Sequence, residues 1–600
     1  MDRSEHRAAE SLGGALATLY REMSPRRRRH FYLAVSMMLL GAFAEIVTIG
    51  AALPFLAIIS DPAAAEKLGA IRFVFDLLDW SSGEDLVLPA ILLLGGAAIV
   101  TAAVRLLLLW STQAFVFRFG HELGVRIYGR MLHRPYSWYI ARNSAEAIAA
   151  MEKVQATIFG VLLPVMQAVV SAVMAVFIIV VLIAIHPGAA LVSAVIVALL
   201  YVALSFATKE RLRSNSRLIA DAHKARIQQV QEGLGGIRDI LLDRSQPVFV
   251  RAFERLDDGL RHAQAVNTFL SGAPRLVIEA AGILLLALLA LYMSGRPGGL
   301  VAAIPVIGAL AIGAQRLLPL LQTIYVAFSR TAGSLQSLTE IAALAALPDA
   351  EDGAADGPAP VFRNQITAEE IGFRYPGGRG PALQRVTLTV RKGERIGLIG
   401  ETGSGKSTLL DLMMGLLEPT EGALRIDGRP LDPAARRGWQ AQVAHVPQFI
   451  YLADSSIAAN IAFGAEAEAI DMERVREAAR RAQIAAFVEG LPDGYDTQVG
   501  ERGVRLSGGQ RQRIGIARAL YRQAQVLILD EATSALDDET EAAVIEALGA
   551  AGGAELTVLM VAHRLTTLAA CDRLVRLKDG RIVETGSYAA LVGGAARGAG

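Results

Sequence analysis

Apolar positions are unevenly spread along the chain. Long uninterrupted runs fill its first part, near 31–59, 87–117, 157–185, 188–208, 266–293 and 300–328. Each run is long enough to cross a hydrocarbon layer of about 30 Å as a helix, which takes about 20 residues. His186-Pro187-Gly188 and Gly295-Arg296-Pro297-Gly298-Gly299 predict tight hairpins after the third and fifth runs. The first run is too long, and too regularly followed by others, to be a cleavable signal peptide. From about residue 360 onward, short apolar runs alternate with glycine turns and charged helical patterns. Between the two regimes Pro348 to Pro360 is acidic, rich in Pro, Gly and Ala, and has almost nothing to bury. The pattern predicts a transmembrane domain over 1–347, a linker over 348–360, a soluble domain over 361–592 and a flexible tail over 593–600.

Loop charge predicts the orientation. Arg26-Arg27-Arg28-Arg29 precedes the first run and places the N-terminus in the cytoplasm. Segment 118–153 carries six Lys/Arg and 208–262 carries eleven, whereas 60–85 has only Lys67 and Arg72 against six acids. Both basic segments are helical in pattern, so the spanning helices should continue well beyond the bilayer. In the acidic loop Leu68, Ile71, Phe75 and Leu78 form a helical stripe that suits either a membrane face or packing on protein.

Composition changes the picture in a few respects. Lys+Arg 59 against Asp+Glu 58 leaves no basic excess for a nucleic-acid partner. A single cysteine, Cys571, excludes an internal disulfide and a Cys-based zinc site. More telling are five charges inside the apolar runs: Glu45, Arg105, Arg275, Glu279 and Arg316. A charge at mid-bilayer costs about 2.5–3.5 kcal/mol unless it faces water or a partner. Glu279 follows Arg275 by four residues and can pair with it on one helix face. The group is either a set of internal ion pairs or, with arginines in surplus, a surface for anionic cargo.

Gly400-Glu401-Thr402-Gly403-Ser404-Gly405-Lys406-Ser407-Thr408 fits the P-loop pattern, with Arg395–Ile399 as a strand before it and a helix after it. Its glycines let backbone N–H groups converge on phosphate oxygens. Lys406 would reach the β- and γ-phosphates of ATP, and Ser407 would ligate Mg²⁺. A second strand, Val526–Leu529, ends in Asp530 and Glu531. The first acid can hold Mg²⁺ and the second can polarise the attacking water.

Leu506-Ser507-Gly508-Gly509-Gln510 resembles the signature of ATP-binding-cassette (ABC) ATPases, and further motifs follow the same order. Tyr375 matches the aromatic that stacks on adenine. Gln448 matches the Q-loop residue, Ser534-Ala535-Leu536-Asp537 the D-loop, and His563 the switch histidine. Val499–Gly503 is similar to the exporter segment before the signature. The resemblance implies that Glu531 activates water, that His563 contacts the γ-phosphate, and that Gln448 ties the Mg²⁺ region to the membrane domain. It also implies a homodimer, because Ser507, Gly509, Gln510 and Asp537 of one cassette close over nucleotide held by another. Six runs before one cassette resemble an exporter half-transporter. The implied fold is an α-helical membrane domain of six transmembrane helices followed by an α/β P-loop ATPase. Leu132–Tyr139 resembles a first coupling helix, although Arg134 and Trp138 equally suit interfacial anchors, and Gly235–Arg238 lies where a second would be.

The membrane half narrows the resemblance. Ala44-Glu45-Ile46, Leu53-Pro54-Phe55, Val104-Arg105-Leu106, Ala273-Pro274-Arg275 with Glu279, and Gln315–Pro319 are similar to lipid-linked oligosaccharide flippases of bacterial protein N-glycosylation, the PglK type. That resemblance implies a bacterial inner-membrane location and a polyprenyl-pyrophosphate cargo received by Arg105, Arg275 and Arg316. The alternatives are an exporter of another lipid, drug, peptide or polysaccharide precursor, or a nucleotide-gated channel or receptor regulator on the same scaffold.

Overall fold

The chain divides into two units, Met1–His133 with Ser144–Pro348, and Arg134–Asn143 with Asp349–Gly600. The computed structural model describes every residue except 1–10, 61–86, 141–143, 186, 296–298, 348–359, 379, 534, 552–554, 563 and 593–600. The acidic-loop stripe, the linker up to residue 359, the tail, Ser534 and His563 therefore lie outside the described residues.

The first unit is helical. A short helix, α1 (Leu12–Arg21), begins where the Ser11 hydroxyl accepts the Gly14 N–H at 3.1 Å. The long helices α2 (Pro25–Ser60) and α3 (Val87–Leu132) follow. After α4 (Tyr136–Ile140), which belongs to the second unit, come α5 (Ser144–Thr157) and α6 (Leu163–Ile185). Then come α7 (Pro187–Gly235), α8 (Ile237–Leu242), α9 (Gln246–Ser294) and α10 (Gly299–Ala345). Six of the described helices are long and apolar enough to cross a membrane. At 1.5 Å per residue, the 46 residues of α3 and the 49 of α7 and of α9 each run for about 70 Å, more than twice the hydrocarbon thickness. The basic segments between runs are thus continuations of the spanning helices. One departure from the sequence pattern is a π turn, Ile158–Leu162, joining α5 to α6. It sits where Gly160 meets α10 so closely that a Cβ would fall 2.3 Å from the Ser334 hydroxyl.

The second unit has a four-stranded antiparallel sheet in the order β2 (Leu383–Arg391), β1 (Gln365–Phe373), β4 (Glu421–Ile426), β5 (Arg429–Pro430). Its main sheet has six strands. From one edge they are β10 (Arg581–Gly586), β9 (Arg573–Lys578), β3 (Arg395–Ile399), β8 (Thr557–Val561), β7 (Val526–Asp530) and β6 (Val443–Val446). All neighbours pair in parallel except β10 with β9. Continuous apolar strands such as Val526–Leu529 and Thr557–Val561 are buried throughout, because helices cover both faces of a parallel sheet. Trp439 is fully buried and donates its indole N–H to the Met413 carbonyl at 2.9 Å. That contact fixes the helix after the P-loop, α11 (Lys406–Met413).

Candidate functional site

In an open parallel sheet, ligands bind beyond the carboxyl ends of the strands. Here β3 runs into the P-loop, β7 into Asp530-Glu531 and β6 into Pro447-Gln448. The loop can only be built with glycine at two positions. At Gly400 a Cβ would lie 2.2 Å from the Leu577 carbonyl oxygen. At Gly405, where φ is +100°, it would lie 2.8 Å from the Ala382 carbonyl oxygen. The Lys406 ammonium donates to the carbonyls of Gly400 at 2.7 Å and Glu401 at 2.9 Å. Gly403 has φ +83°, and a Cβ there would meet nothing within 4 Å. Thr402 and Ser407 are exposed, and the Ser404 hydroxyl is buried without a hydrogen-bond partner. An unsatisfied buried hydroxyl in a loop of convergent N–H groups fits phosphate oxygens.

Tyr375 lies against this loop. Its hydroxyl is 3.0 Å from that of Thr408, and its ring packs edge-on against Phe373 at 4.9 Å. Glu531 has a left-handed backbone, φ +53°, and its N–H donates to the Val561 carbonyl at 2.9 Å. The Gln448 amide donates to the Glu531 carboxylate, so two candidate residues from different strands meet directly. Asp530 is felt on both sides. Burial first, and then Asp530, pushes the Asp411 carboxyl up to about 6. Burial lowers the His445 imidazole, an effect that Asp530 partly offsets. Among the described residues no cluster of three or more His, Cys, Asp or Glu could cage a metal alone. One carboxylate, Asp530, and the exposed Ser407 hydroxyl fit Mg²⁺ arriving with nucleotide phosphates.

The signature is built separately. Ser507 caps α12 (Gly508–Tyr521) in a reciprocal box: its hydroxyl accepts the Gln510 N–H at 3.2 Å, and Gln510 accepts the Ser507 N–H at 2.8 Å. Gly509 packs so near the Ala535 carbonyl that a Cβ would stand 3.0 Å from it. Asp537 accepts both the N–H and the hydroxyl of Thr540, at 3.0 and 2.9 Å, which hold its carboxyl below the usual range. Among the described residues no hydrogen bond links Ser507, Gly509 or Gln510 to the P-loop. Gln512, in the Arg511-Gln512-Arg513 that follows the signature, has no role legible in the sequence, yet its buried side chain accepts the Ala535 N–H at 2.9 Å and ties signature to D-loop. Its place two residues after Gln510 was the available signal.

Helix α4 belongs to this unit. Burial raises the Tyr136 phenol, and Asp411 and Tyr375 nearby raise it further.

In the first unit the five intramembrane charges fall into two groups. Glu45 is completely buried and pairs with Arg105 through one oxygen and with Arg316, at 3.6 Å, through the other. Arg275 and Glu279 form a looser pair at 3.9 Å, about half exposed. The surplus positive charge is thus concentrated on the Glu45 group, and Arg275 is placed elsewhere.

Residues 34–296 match the ABC transporter transmembrane region, and residues 383–534 match the ABC transporter family. An ATP-dependent lipid A-core flippase of Cupriavidus metallidurans is 45% identical over 232 residues, 38% of this chain and 39% of that protein. One from Alkalilimnicola ehrlichii is 34% identical over 396 residues, 64% and 65% of the two chains. The chain thus spans about two fifths of the length of the first of these relatives. The solved structure of a bacterial Atm1-family ABC exporter with ATP bound has the same fold. It superposes with a TM-score of 0.74 at 24% identity, covering 96% of this chain and 98% of that one.

Proposed function

We propose that this chain, whose two matched regions and exporter-type fold are those of an ABC half-transporter, hydrolyses ATP to move an anionic lipid-linked cargo across the membrane. The observation that carries the reading is the meeting of Gln448 with Glu531 at the strand ends that also carry the P-loop and Asp530. Lys406 and the Gly400–Thr408 backbone hold the triphosphate, and Tyr375 holds the base. Glu531 takes the proton of the attacking water, while Gln448 positions that carboxylate. His563 contacts the γ-phosphate. Ser407, Asp530 and Gln448 would hold Mg²⁺, which would supply positive charge to offset that of the phosphates.

Among the described residues the signature forms no hydrogen bond with the P-loop of its own chain, which supports a homodimer in which each Ser507–Gln510 and Asp537 closes the partner's nucleotide site. The basic segments 118–153 and 208–262 support an N-terminus and a cassette on the cytoplasmic side of a bacterial inner membrane. For the cargo, the Glu45 group supports a phosphate-bearing lipid, and we assign Arg105, Arg316 and Arg275 to a polyprenyl-pyrophosphate-linked oligosaccharide. The names of the relatives favour lipid A-core as the alternative. The test is ATPase stimulation and flipping in proteoliposomes with a lipid-linked oligosaccharide, lipid A-core or a neutral amphiphile. Changing all three arginines to glutamine should lower oligosaccharide flipping and spare basal hydrolysis. Unchanged flipping by that variant refutes the cargo assignment, and ion conductance without vectorial transport refutes the transporter reading.

A further inference from the structure

Helices α2 and α3 run antiparallel. The Arg27–Glu122 ion pair at 2.6 Å lies near one end of the pair, and the Thr48–Thr101 hydroxyl contact at 2.6 Å lies further along. Between them, at the end bearing Arg26–Arg29, lies a cavity of about 270 Å³. Its character changes along its length. Arg27, His30 and Arg118 line one end; Leu33, Met37, Leu107 and Trp110 line the rest. The polarity follows the helix repeat, since positions 27, 30, 33 and 37 share one face of α2. From Arg27 to Met37 the axial distance is about 15 Å, half of a hydrocarbon layer of about 30 Å and therefore one leaflet deep.

The charges at the basic end are unbalanced. Glu122 neutralises Arg27, whose Nε is nonetheless buried without a hydrogen-bond partner. Arg118 is exposed and has no ion-pair partner among the described residues. His30 is exposed, and among the described residues it bonds through Nδ1 alone, to the Arg26 carbonyl at 2.8 Å. The apolar end faces outward: Trp110 is 71% exposed and Leu107 59%. The groove therefore has the order of a lipid molecule, with cations at headgroup depth and an open apolar wall at acyl depth. It is separate from the charged cluster of the membrane interior, because Glu45 lies 18 residues beyond Arg27, about 27 Å along α2.

We infer that this groove is a binding site for an anionic glycerophospholipid of the adjacent leaflet. The phosphate sits against Arg118 and His30, beside the Arg27–Glu122 pair, and one acyl chain lies along Leu33, Met37, Leu107 and Trp110. A net-negative headgroup complements the groove. A zwitterionic choline headgroup brings its own cation to the arginines, and a second copy of the chain brings further basic residues.

The full chain is reconstituted without nucleotide in phosphatidylcholine nanodiscs containing a few per cent of phosphatidylglycerol. Lipids retained after transfer to detergent are counted by native mass spectrometry. In parallel, tryptophan fluorescence is read with phosphatidylglycerol brominated on its acyl chains, and Trp110→Phe identifies the quenched signal. The expected result is selective retention of phosphatidylglycerol and quenching lost in Trp110→Phe. Arg118→Gln should weaken retention about fivefold, and Ala114→Trp, which fills the groove without removing a charge, should abolish both signals. Equal retention of the two lipids overturns the inference. So does quenching that survives Trp110→Phe, or efficient crosslinking between copies through a cysteine at position 33, which would mean that a second chain covers the groove. Binding is read without ATP or cargo, so the result stands apart from the transport reading.

Discussion

Replacing Glu45 by glutamine keeps the shape of a fully buried side chain and removes the one charge shared by Arg105 and Arg316. Breaking a buried ion pair by deleting one partner costs about 3–5 kcal/mol, because the other charge is left uncompensated. The two arginine side chains are 35% and 32% exposed. Their partly exposed guanidinium groups can find other partners, leaving an expected destabilisation of about 1–3 kcal/mol. At about 2–4 °C per kcal/mol, the apparent unfolding midpoint should fall by about 2–12 °C. The assay is fluorescence-detected size exclusion of the detergent-solubilised chain after heating at a fixed rate, since membrane-protein unfolding is commonly irreversible. A Glu45→Gln/Arg105→Gln double variant sharpens the test. Once Glu45 is gone, removing Arg105 relieves an uncompensated charge, so the double variant should lose less than the sum of the single losses. An unchanged midpoint for Glu45→Gln, or strictly additive losses, would show that Glu45 does not hold the two arginines.

Other expectations follow from the second unit. Glu531→Gln should abolish steady ATP turnover while nucleotide still binds, and near-normal phosphate release by that variant would sink its assignment as the base. Gly405→Ala places a Cβ 2.7 Å from Leu383 and 2.8 Å from the Ala382 carbonyl oxygen at φ +100°. Affinity for a fluorescent ATP analogue should drop about fivefold or more from strain of about 1–3 kcal/mol, and wild-type affinity would contradict the loop geometry. Burial pushes the Cys571 thiol up to about 12. The native chain should resist maleimide at pH 8 and react once unfolded, and rapid labelling of the native state would refute the burial. Because the folded thiol keeps its proton where an unfolded one has lost it, Cys571 contributes stability below pH about 9 that is lost as pH rises toward 12.

Much of this molecule follows from local chemistry. Runs of apolar residues longer than a bilayer needs have no stable alternative to helix, so the six spans are readable directly. The P-loop is equally explicit, because Gly400 and Gly405 answer to backbone constraints that no other residue meets. Pairings between distant positions are different, since nothing local encodes them. A one-dimensional reading finds three arginines and two acids in the spans. Only the packing of α2, α3 and α10 shows that Glu45 carries two of the arginines while Arg275 keeps Glu279 to itself. The Gln448–Glu531 contact joins residues 83 positions apart through the parallel pairing of β6 with β7. The groove between α2 and α3 exists because two antiparallel helices bring basic residues from opposite ends of their sequences to one depth. Periodicity and motif chemistry determine which elements form. Which charges share a counterion, and which faces are left open to lipid, depend on long-range packing that only the tertiary structure supplies.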